Sequence, residues 1–262
     1  MPLVRTELTE GVGVVTLADP ERRNALSAGL LAELTAAFDA LEAAEDVAAV
    51  VVTGEGPAFC AGAVLDDLLT AVDGDTAPVE QVYEGFDRVR RSPLLTVAAV
   101  QGPAVGAGLN LALACDIRVA GLSAWFDTRF LRIGLHPGGG HLRMLEQLVG
   151  PQTAAAMVLC GERLDARTAQ ERGLVLRAAP DDELLATARG LAGRAAAAGR
   201  DLVVSVKQTL RESPAMTAEQ ALAVEAERQR RSFARPATAA LLRGAASRAP
   251  GSGVTARDRQ EN

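Results

Sequence analysis

One pattern occurs twice in this chain and restricts its fold more than any other feature. A run of β-branched and small apolar residues ends in a turn built almost wholly from glycine, alanine and proline, and a helix follows. In the first copy, residues 47–53 lead into Gly54-Glu55-Gly56-Pro57 and then Phe59-Cys60-Ala61-Gly62-Ala63. In the second, residues 94–100 lead into Gln101-Gly102-Pro103-Ala104-Val105-Gly106-Ala107-Gly108, a short helix over 109–115 and a strand over 117–120. An apolar run without alternation is the pattern of a strand covered on both faces. Such strands pair in parallel through crossover helices, so the repeat predicts a βαβ core.

The flanking segments agree with that core. Residues 3–9 and 12–17 alternate around Glu10-Gly11 and read as a hairpin, which Asp19-Pro20 ends. A helix is expected over 27–44, with Ser27 as N-cap and Leu30, Leu31, Leu34, Phe38 and Leu41 at helical spacing. Beyond Ala154 strand propensity fades and helices are expected, most clearly over 165–172, 181–198 and 217–231. The division expected is a core over 1–202, a helical C-terminal region over 203–250, and a disordered polar tail over 251–262.

A chain of 262 residues, 48% hydrophobic and 23% charged, suffices for one α/β core with a helical appendage. The net charge of -6 opposes nucleic-acid binding, which needs clustered Lys and Arg. Cys60, Cys115 and Cys160 are far apart and have no His at metal-ligand spacing, so no metal is expected and a reducing cytoplasm fits. No uncharged apolar run reaches the roughly 20 residues that span a bilayer, and no membrane association is expected.

Each small-residue turn joins a buried strand to a helix, so each exposes unpaired amide N–H groups at the positive end of a helix dipole. Small side chains let a ligand approach that main chain. Two such turns converging on one oxygen would form an oxyanion hole. The plainer reading is that they permit tight strand–helix packing. Neither carries a Walker or dinucleotide fingerprint, which sets nucleotide binding aside.

The segments Arg22-Arg23-Asn24-Ala25-Leu26, Ala58-Phe59-Cys60-Ala61-Gly62-Ala63, Gly102-Pro103-Ala104-Val105-Gly106-Ala107-Gly108 and Ala114-Cys115-Asp116-Ile117-Arg118 resemble the enoyl-CoA hydratase/isomerase (crotonase) family. Ile133-Gly134-Leu135 with Pro137-Gly138-Gly139-Gly140 adds to the match, which covers roughly residues 3–235. The resemblance implies a crotonase-like ββα spiral core with a helical C-terminal region that assembles as a trimer or a dimer of trimers. It implies an acyl-CoA thioester as ligand, with coenzyme A arriving as part of the substrate and no separate cofactor. The thioester oxygen would sit on the N–H groups of Ala63 and Ala107, while Arg23, Ala25, Leu26 and Ala61 would contact pantetheine and adenine. Lys207 is the candidate for a CoA phosphate, with a solvated surface charge as its plainer reading.

The resemblance breaks at the acid–base groups. The two glutamates of the family's hydratases fall at Asn110 and Phe130, and neither an amide nor a phenyl ring exchanges a proton near neutral pH. His136 is the candidate base in their place, with a hydrogen-bonded structural histidine at a loop as its plainer reading, and His141 reads as such a structural residue. Asp66 and Asp67 are expected to favour a helix N-terminus, Asp127 to be a surface carboxylate paired with Arg129 or Arg132, and Glu146 to be a lesser pocket candidate on a helix over 142–149. Two functions follow: an acyl-CoA enzyme of hydratase/isomerase type with weak or absent ordinary hydration, or a non-catalytic acyl-CoA carrier or sensor.

Overall fold

Nine strands form two sheets in the computed structural model, which describes residues 1–248. They are β1 (Val4–Thr9), β2 (Val12–Leu17), β3 (Ala49–Gly54), β4 (Leu95–Val100), β5 (Pro103–Val105), β6 (Ile117–Gly121), β7 (Trp125–Asp127), β8 (Leu164–Asp165) and β9 (Arg177–Ala179). The main sheet has the order β1-β2-β3-β4-β6-β9, and only the β1–β2 hairpin is antiparallel within it. In the small sheet β5 and β7 run parallel while β7 and β8 run antiparallel.

The helices are α1 (Ala28–Ala43), α2 (Leu65–Val72), α3 (Ala77–Arg91), α4 (Ala107–Ala114), α5 (His141–Leu159), α6 (Ala166–Glu171), α7 (Leu184–Ala196), α8 (Arg200–Glu212), α9 (Ala218–Phe233) and α10 (Pro236–Arg248). Ser27 caps α1 as expected, its side chain accepting from the Leu30 N–H.

The β-branched runs are covered on both faces. Val50, Val52, Ala98 and Val100 pack with Leu30, Leu34 and Phe38 of α1 and Phe86 and Val89 of α3. On the opposite face Ala49, Val51, Val97 and Ala99 meet Leu184, Ala188 and Ala192 of α7. Burying such side chains contributes about 1.5 to 3 kcal/mol each. Because β3 and β4 are parallel, their C-terminal ends lie side by side, and both small-residue turns leave from that edge.

Four sequence expectations need correction. The helix of the second turn begins at Ala107, two residues before Leu109, so its first free N–H belongs to an alanine of the turn. Strands persist beyond Ala154, since β8 and β9 are short pieces that tertiary pairing selects against weak local propensity. Helix α5 begins at His141 and passes Val149, with a break at Gly150 (φ 73°, ψ 168°) ahead of Pro151. The sequence reading passed over α3 altogether.

Two compact units divide at Lys207. The first, Met1–Lys207, holds both sheets. In the second, α9 begins with a capping box between Thr217 and Gln220, and Arg228 ties α9 to the end of α8 through Thr209 and Glu212. The tail expected over 251–262 lies outside the described residues. No helix among those described is long and apolar enough to cross a membrane.

Candidate acyl-thioester site

The two small-residue turns run side by side, joined by backbone. The Cys60 N–H donates to the Pro103 carbonyl (3.2 Å) and the Val105 N–H to the Cys60 carbonyl (3.1 Å), forming a parallel bridge. A Cβ on Gly108 would overlap the Cys60 carbonyl oxygen, so this glycine is required for close packing. Gly62 (φ 105°) and Gly106 (φ 54°) take backbone conformations that side chains disfavour, and each directly precedes a candidate oxyanion donor. Both turns therefore meet a packing demand at residues that flank the candidate donors.

Ala63 and Ala107 line one cavity of about 420 Å³. Neither N–H donates to a main-chain carbonyl of a described residue, whereas the adjoining Val105 and Gly106 N–H groups do. Ala107 is the first residue of α4, so its N–H is one of the helix's unpaired donors and lies at the positive end of its dipole. Leu65, Leu68 and Val72 of α2 and Val79 and Val82 of α3 supply much of the apolar wall.

The segment expected to touch coenzyme A is bound to the first turn. The Ala61 N–H donates to the Arg23 carbonyl (3.0 Å) and the Leu26 N–H to the Gly62 carbonyl (2.8 Å). Arg23 and Asn24 hold φ values of 52° and 56°, which buried Asn24 supports by accepting from the Asp19 N–H and donating to the Glu55 and Ala58 carbonyls. Arg23 is exposed, Ala25 half-buried and Leu26 buried.

Lys207 is neither a phosphate ligand nor a solvated charge. It is buried, ion-paired with Asp116 at 2.5 Å and hydrogen-bonded to the Leu94 carbonyl. An ammonium so enclosed cannot reach a ligand.

Around Asn110 and Phe130 the chain carries a closed cluster. The Asn110 Nδ2 donates to the Gly138 carbonyl (3.2 Å), which turns Oδ1 toward His141 Nδ1 at 2.5 Å. Oδ1 can only accept, so Nδ1 carries the imidazole proton and Nε2 a lone pair. Nε2 is buried with no hydrogen-bond partner among the described residues, and the Phe130 ring packs edge-on against the imidazole with centroids 4.9 Å apart. Burial holds the His141 pKa down at about 4, so it is neutral at pH 7. Both polar ends of Asn110 are thus engaged within the protein.

His136 is exposed and lines the same cavity as Ala63 and Ala107. Its Nδ1 lies 2.8 Å from the Pro137 carbonyl, which as an acceptor favours the tautomer with the proton on Nδ1 and the lone pair on Nε2. Asp127 is not a surface carboxylate: it is fully buried, accepts from Arg132 (3.2 Å) and Arg163 (2.9 Å), and lies 3.6 Å from the Arg129 guanidinium. Asp66 and Asp67 lie in the first turn of α2. Glu146 lines a neighbouring apolar cavity of about 650 Å³, which shares Leu135 and His136 with the first but contains neither Ala63 nor Ala107. Cys60 sits in the first turn, but burial pushes its thiol up to about 12 and removes it as a nucleophile.

An α/β core whose paired small-residue turns line one largely apolar cavity is of the crotonase-like class. The enoyl-CoA hydratase/isomerase family model matches residues 7–240. A protein of Mycobacterium tuberculosis named a probable enoyl-CoA hydratase is 49% identical over 201 residues, covering 76% of this chain and 78% of that protein. The crystal structure of an enoyl-CoA hydratase from Polaromonas sp. JS666 aligns with a TM-score of 0.85 at 31% identity, over 92% of this chain and 97% of that one. One from Bacillus anthracis aligns with a TM-score of 0.87 at 26% identity, over 94% and 96%. The chain belongs to the enoyl-CoA hydratase/isomerase family.

Proposed function

We propose that this protein binds an acyl-CoA thioester and stabilises its enolate through the N–H groups of Ala63 and Ala107. The observation that carries this reading is that Ala63 and Ala107 line one cavity and that neither N–H donates to a main-chain carbonyl among the described residues. The thioester oxygen gains charge on enolisation, and donors already aimed at it favour that state. His136 Nε2 is the base for the α-proton. The main chain at Ala25, Leu26 and Ala61, with Arg23 beside it, receives the CoA moiety, and no separate cofactor is needed.

Ordinary hydration is weak on this reading. The glutamates that hold and exchange protons with water in the family's hydratases are replaced by Asn110, whose amide is held by Gly138 and His141, and by Phe130, which presents an apolar ring. A positioned general acid or base contributes about 10²- to 10⁴-fold, so the loss of two outweighs what the oxyanion donors retain. A non-catalytic acyl-CoA carrier is the second reading, favoured by the apolar walls and the closed Asn110–His141 pair.

The C-terminal helices are proposed to assemble the chain as a trimer or a dimer of trimers, a reading supported by the exposed Leu222, Phe233 and Leu241 on α9 and α10. The three free cysteines fit a reducing cytoplasm. Crotonyl-CoA provides the test. The N110E/F130E variant should consume its enoyl-thioester absorbance at least 10²-fold faster than the parent protein. Fast turnover by the parent protein would overturn the weak-hydration reading.

A further inference from the structure

Three arginines share one carboxylate beside the end of α5. The fully buried Asp127 presents Oδ2 to the guanidiniums of Arg163 (2.9 Å), Arg132 (3.2 Å) and Arg129 (3.6 Å). Among the described residues it is the one carboxylate ion-paired with any of the three, so the cluster holds two positive charges in excess. Tying β7 to the end of α5 needs one such pair. Further cations add like-charge repulsion, and here they do so in a chain whose net charge is -6. The excess faces one way. Arg163 is held from behind, its guanidinium stacked over the Trp125 ring at 4.7 Å from the centroid. Arg129 and Arg132 line a cavity of about 210 Å³ with Cys160. Arg132 gives one N–H to the Gly161 carbonyl (2.5 Å), and Arg129 stands beyond hydrogen-bond distance of Asp127. Each guanidinium carries five donors, so both keep several for a ligand.

We infer that this cluster binds a small phosphate monoester at a site separate from the acyl-thioester cavity. Two cations beside one small cavity suit a dianion whose charge sits on a single centre, and the planar guanidinium fork matches phosphate oxygens. Asp127 acts as the positioning group that gathers the arginines. The cavity is larger than a phosphoryl group, and Leu131, Val158 and Leu159 supply an apolar wall for the organic part of an ester. It shares Thr128 and Arg129 with the cavity of Ala63 and Ala107, but neither of those alanines nor Ala25, Leu26 or Ala61 lines it. The inference therefore stands independently of the acyl-CoA reading.

Cys160 is a built-in reporter, because it lines the cavity and is exposed while Cys60 and Cys115 are buried. The test follows alkylation of Cys160 in the full chain by iodoacetamide, a neutral reagent, at constant ionic strength. Phenyl phosphate should protect the thiol saturably, inorganic phosphate should do so only at higher concentration, and chloride should not protect it. Arg129→Gln leaves Asp127 paired with Arg132 and Arg163, and should raise the half-protecting concentration of phenyl phosphate about tenfold. Absence of protection by phenyl phosphate, or an unchanged midpoint in Arg129→Gln, overturns the site. Equal midpoints for phenyl phosphate and inorganic phosphate overturn the assignment of an ester. Saturating phenyl phosphate should leave the calorimetric affinity for butyryl-CoA unchanged, whereas competition would overturn the separation of the two sites.

Discussion

Lowering the pH from 7 to 5 should remove stability that His141 supplies only while it is neutral. In the unfolded chain this imidazole titrates near 6.5; in the native protein burial lowers that to about 4. Between those values the unfolded chain binds a proton that the folded one excludes. The contribution is therefore fully present above about pH 6.5 and declines as pH falls toward about 4. The interval corresponds to about 3 kcal/mol in total, of which about 2 kcal/mol is lost by pH 5. His141 is only 1% exposed, so solvent screening does little to reduce the figure. The variant His141→Gln cannot titrate but still offers Asn110 an N–H. Urea unfolding at pH 7 and pH 5, followed by fluorescence of the single Trp, Trp125, should show the parent protein losing about 2 kcal/mol more than the variant over that range. Equal losses would refute the neutral, Asn110-bound imidazole.

Two further substitutions address the donor pair and the core. Ala107→Pro removes the free N–H at the first position of α4, where proline is tolerated, so any enolisation should fall about 10²- to 10³-fold with the melting temperature nearly unchanged. Exchange of the α-protons of butyryl-CoA in D₂O measures this directly. Lys207→Met leaves Asp116 without its buried partner and should cost about 3 kcal/mol in urea unfolding, with no selective loss of CoA affinity.

Much of the core was legible because its signals are local and redundant. Val50, Val51 and Val52 are buried whichever face they take, so an unbroken β-branched run identifies the central strands. The turns were legible because Gly62, Gly106 and Gly108 answer steric demands that few other residues meet. Helix α3 was not read, although Val82, Phe86 and Val89 share a buried stripe, because Glu80, Glu84, Asp87, Arg88 and Arg90 dilute it. The status of Lys207 was hidden for another reason. A lone lysine reads as exposed until its partner is known, and Asp116 lies far away along the chain. His141 reads as a hydrogen-bonded structural residue in sequence and structure alike, and only its partner, Asn110, was not legible. The pairings of β5, β7 and β8 are set by tertiary contacts over two or three residues, too few for periodicity to register.

The carbonyl stretch of a bound acyl-CoA labelled with carbon-13 at the thioester carbon reports most directly on whether two N–H groups polarise that oxygen. Isotope-edited infrared difference spectra should show the band shifted to lower frequency than in water, with much of the shift lost in Ala107→Pro. A bound ligand whose carbonyl absorbs where the free ligand does, or one indifferent to that substitution, would contradict the oxyanion hole.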